Sequence, residues 1–343
     1  MTGMEQNAGE ISPPERQGAA PAAAVPAGEF PPRGGRAPAR GVAFIVNRQS
    51  GTVRSMGEDA VRSLISASFG PDAEIQLVSG AEVEETVKRP AASGRFQRII
   101  VGGGDGTVTS TAGLLAGSGL AMGILPLGTM NMMAKTLGVG PDLATALQQM
   151  KEAEVRDIDA ARAADRLFLH HISFGVQPRI VRIRERLGYS SRLTKMLAGL
   201  RALVILLLRP QSQRLMLDID GRQIEMKGPA LIVSNNIYED SAWLTPARLD
   251  EGVLGIYGIR PMSTWAYLRL VLDLLRGRWR ENLNVTEEHG RSVRILPGRR
   301  RIGRKRRNIR ASIDGELGLM SFPIVITSEP QAVKMLVPPS PPA

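Results

Sequence analysis

A chain of 343 residues, 43% of them apolar, is long enough for two cored domains, and its formal charge of +11 suits polyanionic partners. The absence of cysteine excludes a disulfide framework, thiolate zinc sites and thiol catalysis, and fits a reducing cytosol. Aromatic residues, at 4%, leave few stacking platforms, which argues against a nucleic-acid partner.

Residues 1–40 are crowded with Ala, Pro and Gly and show no apolar period, so they read as a disordered tail. The start, Met1-Thr-Gly-Met-Glu, has no basic region followed by an apolar run, and no signal peptide is expected. Val42–Val46 is a β-branched apolar run and reads as a buried strand. Met56–Phe69 reads as an amphipathic helix capped by Ser55. Glu74–Val78 reads as a strand, and Ala81–Lys88 as a helix stopped by Pro90. Arg98–Val101 is a strand, then come a glycine loop and a helix over Thr107–Leu115. Ala121–Leu125 is a strand, Met130–Leu137 a helix, and Pro141–Met150 a helix with Asp142 near its positive end. This alternation predicts a parallel sheet covered by helices, with ligands beyond the C-terminal ends of its strands.

After about Val155 the pattern changes. Strands are expected at Arg156–Ala161, Leu167–Phe174, Leu215–Asp220, Ala230–Ser234, Leu254–Ile259, Ile309–Ile313 and Ile324–Thr327. Helices are expected at Arg179–Leu187, Ser191–Leu208 and Thr264–Leu275. The second half thus reads as β-rich and antiparallel. The apolar stretch Leu193–Leu208 is too short and too charged to span a membrane; a buried helix and a helix lying on a membrane surface both fit. His170 and His171, adjacent on one strand, should point to opposite faces, and with no matching ligand triplet they do not suggest zinc. Between Arg291 and Arg310 there are ten Lys or Arg and no acid, a field for an anionic membrane or a phosphorylated substrate, or a solvated loop. The final residues, 338–343, are proline-rich and read as a second disordered tail. The domain expectation is therefore 41–155 and 156–337 between two tails.

The strongest motif is Val101-Gly-Gly-Gly-Asp-Gly-Thr107. Several glycines let backbone N–H groups turn inward beside a helix N-terminus, which binds phosphate. Asp105 adds a carboxylate for a nucleotide-borne Mg²⁺, and Thr107 a hydroxyl. Three glycines followed by Asp-Gly-Thr exceed the needs of a structural turn. No Gly-Lys-Ser/Thr follows, so this is not a P-loop, and its place after the third strand departs from the dinucleotide fingerprint. The second loop, Leu125-Pro-Leu-Gly-Thr-Met-Asn131, offers Gly128 for a tight turn and Thr129 and Asn131 as neutral hydrogen bonders, Asn131 equally as a helix cap. Asp314-Gly-Glu316, on its own, reads as a hairpin turn.

Together these loops resemble the diacylglycerol kinase catalytic family, in particular its bacterial lipid-kinase branch, whose catalytic domain sphingosine and ceramide kinases share. Gly103–Thr107 matches its Gly-Gly-Asp-Gly-Thr signature, Pro126–Asn131 with Ala134 its second motif, and Asn47-Arg-Gln-Ser-Gly51 its first-strand loop. Ser173-Phe-Gly175 through Pro178, Arg182-x-Arg-Glu185, Ser234-Asn-Asn236, Arg248–Gly252 and Ser312–Glu316 continue the likeness to about Pro338.

The resemblance implies an α/β fold: a doubly wound nucleotide domain like that of NAD kinases, a β-rich sandwich-like lipid domain, and a cleft between them. It implies ATP held by Gly103, Gly104, Asp105, Gly106, Thr107, Val108 and Thr109, with Asn47, Gly128, Thr129 and Asn131 nearby. Glu316 would be the general base beside Asp105. A structural Mg²⁺ would sit on the Glu251 carboxylate and the carbonyls of Arg248 and Val253. It implies a lipid substrate at the inner face of a membrane, reached from the cytoplasm; the oligomeric state stays open, a homodimer included. Three positions depart from the family: Arg48 stands where it has Pro, Met132 where it has Asp, and Val78 or Ser79 where a Thr is common. Two other readings stand beside the lipid kinase: a kinase of a soluble molecule such as NAD, which the glycine loop alone allows, and a nucleotide-regulated binding protein on a decayed kinase scaffold.

Overall fold

The structure, a computed structural model, describes residues 41–175, 178, 212–298 and 308–339, except 72, 242, 243 and 247. The expected tails, the helices expected at Arg179–Leu187 and Ser191–Leu208, the motif at Arg182–Glu185 and residues 299–307 of the basic run lie outside the described residues, the second tail apart from its first two positions.

The first half alternates as its periodicity predicts. β1 (Gly41–Asn47), β2 (Glu74–Val78), β3 (Phe96–Gly103) and β4 (Ala121–Pro126) form a parallel sheet in the order β2-β1-β3-β4. Their apolar runs bury on both faces because helices cover the sheet on both sides. The expected helix over Met56–Phe69 is two helices, α1 (Gly51–Met56) and α2 (Glu58–Phe69), broken at Gly57, whose φ of 89° no helix can contain. Ser55 therefore lies inside α1 and caps nothing. α3 (Val83–Ser93) runs past Pro90 and ends at left-handed Gly94. Pro90 forfeits a single i→i−4 bond and is buried, so packing outweighs that loss. α4 (Asp105–Leu115), α5 (Met132–Thr136) and α6 (Leu143–Glu152) complete this half; Asp142 caps α6 by accepting from Thr145 N at 2.9 Å.

The second half is built on β5 (Glu154–Ala163), β6 (Arg166–Phe168), β7 (His171–Gly175), β8 (Gln213–Ile219), β9 (Arg222–Gly228), β10 (Ala230–Ser234), β11 (Leu254–Ile259), α7 (Thr264–Leu275), β12 (Val285–Gly290), β13 (Ser292–Pro297), β14 (Asn308–Ile313), β15 (Glu316–Ser321) and β16 (Ile324–Val337). One sheet, β12-β11-β10-β7-β14-β15, is antiparallel throughout. The other continues the first half's sheet: β16 pairs parallel with β4 and antiparallel with β5 and β13, and β8 and β9 follow. The inner faces of the two sheets share a core of Phe168, Phe174, Leu217, Ile256 and Ile326, as a sandwich requires. The single strand expected over Leu167–Phe174 is two, because the chain bends at 169–170; His170 lies in that bend, so the expected alternation of the two histidines does not apply. Of the basic run, Ser292–Pro297 form β13, so that part of it is a strand and not a loop. Among the described residues no helix is long and apolar enough to cross a membrane.

A third cluster joins α7 to the antiparallel sheet. Tyr238 stacks on Tyr257 at 5.1 Å, Tyr257 meets Trp279 edge-on at 5.4 Å, and Tyr238 N donates to the Tyr257 hydroxyl at 2.9 Å. Burial raises the pKa of both phenols; Tyr257 is pushed up to about 12. An unfolded tyrosine ionises near pH 10. The cluster's contribution is therefore complete below about pH 10 and is lost as pH climbs from there through about 12. Urea midpoints should hold from neutral pH to about pH 9.5 and fall by about pH 11, with a smaller fall in Tyr257→Phe. Midpoints unchanged across that interval would contradict the burial of these hydroxyls.

Candidate active site

β1, β3 and β4 run parallel and end at one edge, with Val46 opposite Gly102 and Gly103 opposite Pro126. The loops that follow them therefore meet. Gly104 is the N-cap of α4, and the first N–H groups of that helix, at Asp105, Gly106 and Thr107, have no intrahelical acceptor. This is the anion-binding end of a helix dipole. Asn47 reaches it from β1, its Nδ2 donating to Thr107 Oγ1 at 3.3 Å.

The second loop packs directly on the first. A Cβ on Gly128 would strike the Gly104 backbone, so the second loop tolerates no side chain at that point. Asp105 Oδ1 accepts from Met132 N at 2.6 Å and fastens the two loops together. Asn131 sits at the N-cap position of α5 with φ 48°, but its side chain makes no capping bond. Its amide instead closes the loop: Nδ2 donates to Pro126 O and Gly128 O, each at 3.0 Å, and Oδ1 accepts from Gly128 N at 2.9 Å. Thr129 is exposed at the tip. Val108 is buried in the core behind α4. At the departures from the family pattern, Arg48 clamps β2, donating to Leu77 O at 3.1 Å, and Met132 contributes its backbone N–H to Asp105.

The β14–β15 hairpin brings the far half to this edge. Asp314 and Gly315 both take positive φ, 44° and 90°, so Asp314-Gly315 is the tight turn its sequence favours. The same Asp314 is a tether. Its Oδ2 accepts from Thr109 Oγ1 at 2.8 Å and Leu169 N at 2.8 Å, and its Oδ1 from His170 N and His171 N at 3.0 Å each. Thr109, expected at the nucleotide, thus spends its hydroxyl on Asp314. Glu316 follows the turn with its carboxylate against Gly106, where a Cβ would leave it no room. Its Oε2 accepts from Arg166 Nη2 at 2.7 Å.

The expected metal residues are anchored differently. Arg248 pairs with Asp250 at 3.0 Å, Glu251 is exposed, and Val253 leads into β11. Their loop hangs on buried Asp159, which accepts from Gly252 N at 2.5 Å and Gln331 N at 2.9 Å, while Asp159 N donates to Leu249 O at 2.7 Å. Among the described residues no hydrogen bond or ion pair joins loop 248–253 to the glycine loops, and no group of three or more His, Asp or Glu forms. One carboxylate with two carbonyls fits a Mg²⁺ that keeps several waters.

Sequence reasoning missed Arg166, Asp159 and the tethering role of Asp314. Only the Asp-Gly pair carried a signal, and it signalled a turn.

Two family models divide the chain. The diacylglycerol kinase catalytic domain matches residues 41–163, and the YegS C-terminal NAD kinase beta sandwich-like domain matches residues 170–337. A "Probable lipid kinase YegS-like" of Klebsiella pneumoniae (strain 342) is 33% identical over 141 residues, 40% of this chain and 46% of its own. The chain thus aligns with less than half the length of that relative. A "Putative lipid kinase" of Staphylococcus epidermidis is 24% identical over 74% of this chain and 80% of its own. The crystal structure of a "putative diacylglycerol kinase" from Bacillus anthracis str. Sterne superposes with a TM-score of 0.66 at 21% identity, over 88% of this chain and 98% of that one. At that identity the superposition speaks to the fold. The chain belongs to the diacylglycerol kinase catalytic-domain family, in its lipid-kinase branch.

Asp314→Asn should weaken the tether, because an amide nitrogen cannot accept what the second carboxylate oxygen accepts. Each lost charge-assisted bond is worth about 1.5–3 kcal/mol, so a melting temperature lower by several degrees is expected, with activity falling further than stability explains. An unchanged melting temperature would show that Asp314 bears no load.

Proposed function

We propose that the protein transfers the γ-phosphoryl group of ATP to a lipid hydroxyl, diacylglycerol or a closely related lipid. The supporting observation is the meeting of the two halves: the Glu316 carboxylate lies against Gly106, in the first turn of the helix whose N-terminus is the phosphate nest. A phosphate on the N–H groups of 105–107 would lie close to a carboxylate that can take a proton.

In this reading the lipid O–H gives its proton to Glu316 as its oxygen bonds to the γ-phosphorus. The bond from that phosphorus to the β-phosphate oxygen breaks, and ADP leaves. The backbone N–H groups of the glycine loop position the triphosphate and offset its charge. Asp105 keeps Oδ1 on Met132 N, and its Oδ2 fits a Mg²⁺ brought by the nucleotide. Such an ion, when bound, supplies charge neutralisation at the phosphates. Arg166, paired with Glu316, supplies a cation where charge develops on the transferring phosphoryl oxygens. Loop 248–253 remains the proposed structural Mg²⁺ site. A long-chain acceptor stays in its bilayer, so the protein has to reach a membrane surface, and its positive charge favours an anionic one.

Glu316→Gln and Asp105→Asn should each lower transfer of label from ATP to a total lipid extract by about 100-fold or more, with melting temperatures held. Wild-type rates in both variants would overturn the roles. Label passing to NAD rather than to lipid would overturn the substrate class.

A further inference from the structure

α7 is apolar on two sides. Its inner face carries buried Tyr267 and half-buried Leu274, the latter packed on the Tyr238–Tyr257–Trp279 cluster. Its outer face exposes Trp265 (81%), Leu268 (40%), Leu272 (48%) and Leu275 (67%). These lie three or four residues apart, which places them on one stripe about 80° wide at 100° per residue. Leu283, 88% exposed, follows in the loop that Asn282 holds to the helix by donating to Asp273 Oδ2 at 2.7 Å. Core packing requires none of these five side chains, and a stripe of this kind marks a contact surface.

Charge selects the partner. Arg269 and Arg276, seven residues apart, border one side of the stripe and are exposed. Between 260 and 283 there are five arginines and two acids. Both acids are engaged: Asp273 by Asn282 and, at 3.9 Å, Arg269; Glu281 by Nε and Nη2 of Arg278. The stripe therefore presents Trp and Leu edged by two exposed guanidinium groups, Arg276 and the Arg269 that reaches Asp273 at 3.9 Å, with no unengaged acid in 260–283 among the described residues. It lies along one face of a single helix. A bilayer interface accommodates such a stripe, taking the Leu and Trp side chains among the headgroups while the arginines reach lipid phosphates.

A chain of contacts also links the helix's inner face to the site. Tyr238 of the aromatic cluster contacts His171 Nδ1 through its hydroxyl at 3.0 Å, and His171 N donates to Asp314, two residues from Glu316. We propose that the outer face of α7, Trp265, Leu268, Leu272 and Leu275 edged by Arg269 and Arg276, docks the protein on an anionic bilayer. The benefit to catalysis rests on the lipid-kinase reading; the docking itself does not.

The test uses the full chain and vesicles of phosphatidylglycerol and phosphatidylcholine. Wild-type protein should co-sediment with them, with a blue-shifted tryptophan emission that Trp265→Phe removes. The double variant Leu268→Glu, Leu272→Glu should partition at least about tenfold more weakly, with circular dichroism and melting temperature unchanged. Should that variant misfold, Arg269→Gln with Arg276→Gln carries the test and should weaken binding to anionic vesicles by about tenfold or more. No binding by the wild type, or equal binding by the variants, overturns the proposal. So does a wild-type dimer that the double variant converts to monomer, since the stripe would then pair two copies. Stripe-dependent binding without phosphorylation of any lipid would sink the kinase reading alone, and lipid turnover with stripe-independent binding would sink the docking alone.

Discussion

The geometry of the site hangs on one carboxylate. Asp314 takes a hydroxyl from α4, 205 residues away in sequence, and three successive backbone N–H groups from 169–171. Its position fixes where the β14–β15 turn lies against the first half's helix, and with it where Glu316 can point. A general base must stand within hydrogen-bond reach of the proton it removes, and a misplacement of about 1 Å costs orders of magnitude in rate. Four acceptor contacts on a partly buried acid hold that distance better than one long side chain could. Glu316 is half exposed and, among the described residues, is held laterally by Arg166 alone, so the turn, not the Glu side chain, carries the precision.

A second constraint is topological. β16, the last strand, pairs with β4 of the first half as well as with β5 and β13, and Val333, Met335 and Leu336 lie in the same core as Phe44 and Ile100. The first half's core is thus completed by the far end of the chain. Such a fold is rich in contacts between distant residues, and it couples the sheet edge that carries the glycine loops to the sandwich that carries Glu316. Asp159, within β5, also ties distant segments together, gathering Gly252, Gln331 and Asn236 onto one buried carboxylate.

Much of this was legible in the sequence wherever local chemistry decided the outcome. β2, β10, β11 and α7 fall where apolar periodicity puts them, because each is a short run with its own signal. The glycine loop at the end of β3 was readable because three glycines and an Asp are costly unless the backbone needs them. What sequence could not show was pairing across distance. β9, β12 and β15 are polar or glycine-containing strands that hold their places through partners. Arg166 and Glu316 are 150 residues apart, and Asp314 looked like turn chemistry, which it also is. Gly57 and Pro90 misled locally: one breaks a helix that periodicity had joined, and the other sits inside a helix that packing sustains.

Two of the three departures from the family pattern are met by contacts within the site. Arg48 ties the first loop to β2 through the Leu77 carbonyl, and Met132 supplies Asp105 with a backbone donor that its side chain does not have to provide. The framework of the site is therefore intact, and its central claim can be tested in one step. A crystal structure with a non-hydrolysable ATP analogue and Mg²⁺ should place the terminal phosphate on the N–H groups of Gly104–Thr107, facing Glu316 across a gap that fits a hydroxyl group. A triphosphate bound elsewhere, or a Glu316 carboxylate turned away from the terminal phosphate, would contradict the account.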